Sequence, residues 1–262
     1  MVQPLIFTDL DGTLLDHDTY SYEEASYAID FLRKEKIPWV MCTSKTRAEI
    51  NFWRKKIGNR HPFISENGGG IFIPKNYFDF QFNFDREERD LLVVELGCKY
   101  EELLKAIKVL KSEYRIKSLI DMDVSEIVED LGLDEKQAEL ARKREYDIPF
   151  RILGEDEKKD ILDEIKDMEL HFTSGGRYYH LTGGNDKGQA VDILSDLYKK
   201  KYGEIYTIGI GDSYNDFSML DAVDEGYLVE RKKEGYASDK YKKAGGVGPA
   251  GWKKVVFKEF KK

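Results

Sequence analysis

Cysteine is scarce in this 262-residue chain: Cys42 and Cys98 are too few for a disulfide framework and stand at no spacing that suits zinc. Cys42 lies in an apolar run and is expected to be a small buried hydrophobe. No apolar stretch approaches the ~18 residues that suggest a membrane span. No basic, signal-like segment opens the chain, so a reducing cytoplasm is the expected setting. Positive charge is in deficit, with 42 Lys and Arg against 50 Asp and Glu and a formal net charge of -8. That balance argues against non-specific nucleic-acid binding, which needs a basic footprint. It leaves room for an anionic small molecule, because a local cluster of Lys and Arg overrides the global sign. The lysines near the C-terminus (Lys242, Lys243, Lys253, Lys254, Lys261, Lys262) read as solvated surface. Internal repeats and low-complexity segments are also missing.

What is present is alternation. Pro4 to Thr8 is a short apolar run ending at Asp9, which predicts a buried strand, and Asp11-Gly12-Thr13 turns the chain. A helix is predicted over 21–35, with Ala25, Ala28, Ile29 and Leu32 on one face. A strand over 37–42 ends in Thr43-Ser44-Lys45, and a helix over 47–57 leads to strands at 63–65 and 71–73 around the polar loop Glu66-Asn67-Gly68-Gly69-Gly70. After about residue 82 the pattern changes to helices over 101–114, 124–131, 135–143 and 161–168, with strands at 150–153, 169–173 and 178–181. Alternation then resumes with a helix over 187–202, a strand over 206–210 ending in Gly211-Asp212, and a helix from 217. The implied fold is α/β: a Rossmann-like parallel-sheet core from 1–82 and 185–262, with an inserted α+β unit over 83–184.

Three strands therefore end in polar clusters: Asp9-Leu10-Asp11-Gly12-Thr13, Thr43-Ser44-Lys45 and Gly211-Asp212-Ser213-Tyr214-Asn215-Asp216. Each alone is an ordinary turn or helix cap. Together they are informative, because sites in parallel sheets form beyond the carboxyl ends of strands. Asp9, Asp11, Asp212 and Asp216 would put four mutually repelling carboxylates at one crevice. A hard, oxygen-liganded cation such as Mg²⁺ relieves that repulsion and keeps positions for water and a phosphate.

This ordered set resembles the haloacid-dehalogenase-like (HAD) phosphatase superfamily. Asp9 to Leu14 matches its first motif, Thr43 the second, Lys187 the third and Gly211 to Asp216 the fourth. The insertion resembles the α/β cap domain of its sugar-phosphatase branch, which would close over substrate. A narrower resemblance, to the mannosyl-3-phosphoglycerate phosphatase family, rests on Thr43-Ser44-Lys45-Thr46-Arg47, Glu66-Asn67-Gly68-Gly69, Arg144-Glu145-Tyr146, Gly176-Arg177-Tyr178-Tyr179-His180 and Gly184-Asn185-Asp186-Lys187-Gly188. Related sugar phosphatases usually carry Thr-Gly-Arg in place of Thr43-Ser44-Lys45, and the segment from Tyr146 to Pro149, with Asp147 and Ile148, varies in the family.

The resemblance implies a Mg²⁺-dependent phosphatase with Asp9 as nucleophile and Asp11 as general acid and base. It implies a metal held by Asp9, the Asp11 carbonyl and Asp212, with Asn215 and Asp216 supporting the metal or Lys187. Thr43 and Lys187 would bind the phosphate. Ser44, Lys45, Glu66, Asn67, Gly68, Gly69, Arg144, Arg177 and His180 are candidates for the rest of a phosphorylated sugar-glycerate substrate. The arginines would read its carboxylate in a planar fork. Glu66 to Gly69 would let backbone N–H groups approach the ligand. The same motifs suit a glucosyl-3-phosphoglycerate or sucrose-phosphate phosphatase, or a phosphomannomutase-like enzyme. A non-catalytic binding protein on this fold is a different class, and the intact set Asp9, Asp11, Lys187 and Asp212 speaks against it.

Overall fold

The computed structural model describes residues 2–175 and 178–261. Gly176 and Arg177, one of the candidate carboxylate readers, lie outside the described residues. The chain runs β1 (Gln3–Thr8), α1 (Ser26–Lys34), β2 (Trp39–Cys42), α2 (Arg47–Ile57), β3 (Phe63–Ser65), β4 (Gly70–Pro74), β5 (Arg86–Glu88) and β6 (Leu91–Glu95). It continues with α3 (Tyr100–Glu113), β7 (Ile116–Ser118), α4 (Val124–Leu131), α5 (Glu135–Ala141), β8 (Asp147–Ile152), α6 (Lys158–Asp167), β9 (His171–Gly175) and β10 (Tyr178–Thr182). The last elements are α7 (Lys187–Tyr202), β11 (Ile205–Gly211), α8 (Phe217–Asp221), β12 (Glu225–Glu230), β13 (Lys242–Val247) and α9 (Gly248–Phe260).

Among the described residues the strands form two sheets. The larger has the order β13-β12-β11-β1-β2-β3-β4-β6-β5, and the smaller, β7-β8-β10-β9, is antiparallel. From β13 to β3 the large sheet is parallel, and β4, β6 and β5 add antiparallel strands. The central strand β1 lies between β11 and β2, with Ile6 in register with both Ile208 and Trp39. Its apolar residues alternate between two cores: Ile6 packs on the side of α1 and α9, Leu5 and Phe7 on the side of α7. The expected inner face of α1, with Ala25 just before it, is buried as read, and Ala190 and Leu194 of α7 are buried beneath the sheet.

The structure departs from the sequence reading at 83–95, a stretch that the change of pattern assigns to the inserted unit. Here β5 and β6 hydrogen-bond onto β4 and extend the large sheet. Leu91 and Val93 face the first core while Leu92 and Val94 pack on the second, so the run Leu91-Leu92-Val93-Val94 covers both faces at once. β5 carries Arg86-Glu87-Glu88 and has no apolar signature; its charges suit an edge strand that must not recruit another chain. The small sheet and α3 to α6 have cores of their own, around Leu103, Ile107, Phe150 and Ile161, and around Ile127 and Ala138.

Candidate active site

The order β11-β1-β2 brings the three polar clusters to one edge of the sheet. Asp9 follows β1, and its N–H donates to the Ile210 carbonyl of β11 at 2.9 Å. Gly12 holds φ +73°, and a Cβ there would meet Asp212 Oδ2 at 3.0 Å, so the turn after Asp11 closes directly on the β11 loop. Lys187 is the first residue of α7, whose N-cap Asp186 accepts from Gln189 N–H. Fully buried, Lys187 Nζ donates to Asp9 Oδ1 at 2.8 Å and Asp216 Oδ1 at 2.6 Å. Asp216 Oδ2 accepts the Asp212 and Ser213 N–H groups, which ties the β11 loop to the lysine.

Asp9, Asp212 and Asp216 can each offer a carboxylate oxygen within 4.8 Å of the other two. Burial pushes Asp9 up to about 7, against the pull of Lys187 and with further push from Asp216 and Asp11. Burial, Asp216 and Asp9 hold Asp212 well above the usual carboxylate range. For Lys187, burial disfavours the charge, but Asp216 and Asp9 outweigh it and raise the ammonium above its ordinary value. One lysine thus leaves the carboxylates under-compensated, and the all-oxygen donor set fits a hard divalent cation.

Beyond Asp9 and Asp212 a cavity of about 150 Å³ opens, walled by residues of both sheets' units. Asp11, Ser44 and Lys45 line it from the large sheet, Arg144 and His180 from the inserted unit. Asn215 also reaches it, donating from Nδ2 to Asn67 Oδ1 at 3.0 Å. Thr43 is fully buried behind the lining, with its Oγ1 accepting Lys45 N–H at 3.4 Å. Lys45 Nζ pairs with Asp11 Oδ2 at 2.9 Å and Glu49 Oε1 at 3.2 Å.

Glu66, Asn67, Gly68 and Gly69 are not among the residues lining this cavity. Their contacts are with protein. Glu66 accepts the N–H groups of Glu145, Tyr146 and Asp147 at 2.8–3.1 Å, clasping the strand that leads into β8. Burial and the nearby Asp147 raise Glu66 well above the carboxylate range, although Arg144 and the N–H groups pull it down. Gly68, at φ +91°, sits where a Cβ would come within 2.0 Å of the Asp186 carbonyl, and one on Gly69 would strike Tyr146. Gly68 admits close packing against the start of α7, and Gly69 against Tyr146 just before β8.

Sequence reasoning passed over Glu49 and Tyr20, and named Asp147 and Tyr178 only within motif segments without a site role; all four stand at or beside the site. Glu49 was detectable: Thr46-x-x-Glu49 is a capping box at the start of α2, and Glu49 also lies four residues after Lys45. Asp147, three residues after Arg144, pairs with it at 2.7 Å. Tyr20 Oη donates to the Leu131 carbonyl at 3.2 Å, and a tyrosine in a loop carries no pattern that foretells this reach.

An aspartate at the end of β1 beside a buried lysine, with further aspartates from the neighbouring loop, is an arrangement suited to phosphoryl transfer. The chain belongs to the haloacid dehalogenase-like hydrolases, whose family model matches residues 6–238. A relative from Methanococcoides burtonii named glucosyl-3-phosphoglycerate/mannosyl-3-phosphoglycerate phosphatase is 43% identical, covering 96% of this chain and 95% of its own. The mannosyl-3-phosphoglycerate phosphatase of Pyrococcus furiosus is 38% identical over 86% of this chain and 90% of its own. A Thermoplasma acidophilum crystal structure shares the fold with a TM-score of 0.73 at 19% identity, covering 100% of this chain and 99% of that one. Hydrolases of this family generally use a divalent metal, and the acidic cluster here fits one.

Proposed function

We propose that the protein is a Mg²⁺-dependent phosphatase that releases phosphate from mannosyl-3-phosphoglycerate through an aspartyl-phosphate at Asp9. The carrying observation is Asp9 Oδ1 held 2.8 Å from Lys187 Nζ at the end of β1. Held there, Asp9 attacks phosphorus as the bond to the glycerate oxygen breaks. Asp11 gives its proton to the leaving oxygen, then takes one from the water that attacks the phosphoryl-aspartate and frees phosphate. Lys187 holds charge against the phosphate, and Thr43 donates a hydrogen bond to it. Asp9, the Asp11 carbonyl and Asp212 would hold Mg²⁺, which when bound neutralises charge on the phosphoryl oxygens. The inserted unit serves as a cap that excludes water during these steps.

The relatives' names support the glycosyl-phosphoglycerate substrate, and the Methanococcoides name extends it to the glucosyl compound. Phosphate release from mannosyl-3-phosphoglycerate and glucosyl-3-phosphoglycerate is to be compared with release from sucrose 6-phosphate, mannose 6-phosphate and 3-phosphoglycerate. The two glycosyl-phosphoglycerates should show the highest kcat/KM. Preference for a simple sugar phosphate rejects the substrate, and phosphate retained on the sugar identifies a mutase.

A further inference from the structure

Along the cavity runs a row of paired acidic and basic side chains. Asp11 pairs with Lys45, Lys45 with Glu49, Glu49 Oε2 lies 4.0 Å from Arg144 Nη2, Arg144 pairs with Asp147, and Asp147 with His180. Lys45, Arg144 and His180 line the cavity; Asp147 stands behind them, fully buried. We propose that Asp147 is a positioning residue that holds Arg144 and His180 as one unit for reading the acidic, hydroxylated end of the substrate. The inference deepens the phosphatase reading and rests on it.

Each oxygen of Asp147 has its own partner. Oδ1 accepts from Arg144 Nη1 at 2.7 Å, and Oδ2 meets His180 Nδ1 at 2.7 Å and Asn67 Nδ2 at 3.4 Å. Arg144 spends its remaining bonds on structure: Nη1 also donates to the Ser44 carbonyl at 2.7 Å, and Nε to the Ala141 carbonyl at 3.0 Å. Among the described residues that leaves Nη2, which is beyond hydrogen-bond range of Glu49. A guanidinium fixed on one edge and uncommitted at the other is suited to a carboxylate. The Asp147 carboxylate takes the Nδ1 proton in a hydrogen bond and fixes the ring, which leaves Nε2 as the nitrogen for a hydrogen bond with a substrate hydroxyl. Asp147 itself cannot drift, because its N–H is held by Glu66 Oε2 at 3.0 Å. Burial opposes its charge, but Arg144 and His180 outweigh that and keep Asp147 below its ordinary value.

A carboxylate with a hydroxyl-bearing group beside it is the chemistry of a glycosylated hydroxy acid. It is absent from an aryl phosphate. The test is therefore a ratio: kcat/KM for mannosyl-3-phosphoglycerate over kcat/KM for p-nitrophenyl phosphate. Asp147→Asn keeps the shape and removes the charge. It should lower that ratio by about 10- to 100-fold, mainly through KM for the phosphoglycerate. His180→Gln should act in the same direction, and Asp147→Asn/His180→Gln should be no weaker than Asp147→Asn alone. An Asp147→Asn ratio equal to wild type, whether both substrates suffer or neither does, overturns the positioning role. If that variant fails to fold, Arg144→Lys and His180→Gln carry the test. Their KM effects should combine to less than their product if the residues work as one unit, and independent, multiplying effects overturn it. Wild-type enzyme that hydrolyses p-nitrophenyl phosphate but not the phosphoglycerates refutes the substrate reading instead, which separates the two failures.

Discussion

Lys45 Nζ lies 2.9 Å from Asp11 Oδ2, so a lysine read from sequence as a substrate contact is paired with the carboxylate assigned to proton transfer. Glu49 holds the same ammonium at 3.2 Å, and Lys45 is almost fully buried. Burial alone would disfavour its charge; Asp11 and Glu49 outweigh that and raise it above the ordinary lysine value.

Lys45→Met should therefore harm both stability and rate. It strips buried Glu49 of the nearer of its two cations and leaves Arg144 at 4.0 Å, a loss of about 3 kcal/mol. It also frees Asp11 from one of its anchors, and kcat should fall by about 10-fold or more through lost orientation. Denaturant melts and steady-state kinetics check the two separately. A stable, fully active Lys45→Met would mean that the pair is incidental.

Metal removal should abolish turnover, because Asp9, Asp212 and Asp216 crowd together while Lys187 pairs with two of them, Asp9 and Asp216. The readout need not be activity. Mg²⁺ at 100 times its dissociation constant should stabilise the folded chain by about 2.7 kcal/mol, visible as a rise in Tm. Chelated protein that melts at the same temperature with and without Mg²⁺, and still turns over substrate, refutes the metal site.

The parallel sheet and the polar loop after β1 were legible because each is local: a short apolar run ends in a polar cluster, whereas Lys187 of α7 was marked only by the family resemblance. The clasp of Glu66 on residues 145–147 was not, since it joins segments about eighty residues apart and leaves no periodic trace. β5 was hidden by its charge, and β13, with Lys242 and Lys243 at its start and glycines further on, reads as solvated surface rather than as an edge strand. Asp147 was read only as part of a segment that varies; its role depends on Arg144 and His180 arriving at opposite oxygens of one carboxylate.

Gly68→Ala should be far more damaging than a loop substitution normally is. The new Cβ would lie 2.0 Å from the Asp186 carbonyl, at φ +91°, so either the Glu66–Gly69 segment or the N-terminus of α7 must move. A cost of about 3 kcal/mol, in the upper range of single substitutions, corresponds to a Tm loss of roughly 6–12 °C. Because Lys187 follows Asp186 directly, kcat should fall as well. A variant melting like wild type with full activity would show that the contact yields cheaply.

Acid stability should depend on a residue far from the site. His61 Nδ1 lies 2.6 Å from Tyr77 Oη, which meets Tyr198 Oη at 2.8 Å, while Arg54 Nη2 donates to the His61 carbonyl at 2.8 Å. Burial, then Arg54 and Lys201, push His61 down to about 4 from an ordinary value of 6.5. The sign follows from proton counts. Between those two values the unfolded chain binds a proton at His61 and the folded chain does not, so stability falls as pH drops through that window. Above 6.5 neither state is protonated there and the residue contributes no pH dependence. With part of the shift screened by solvent, the loss from pH 7 to 4 should be on the order of 2 kcal/mol. His61→Gln cannot take up this proton, so its stability relative to wild type should rise by that amount on acidification. Urea midpoints for both proteins at pH 7, 5.5 and 4.5 measure the difference, in which the carboxylates common to both cancel. A wild-type-minus-variant difference that stays constant across that range would mean that His61 titrates alike in both states.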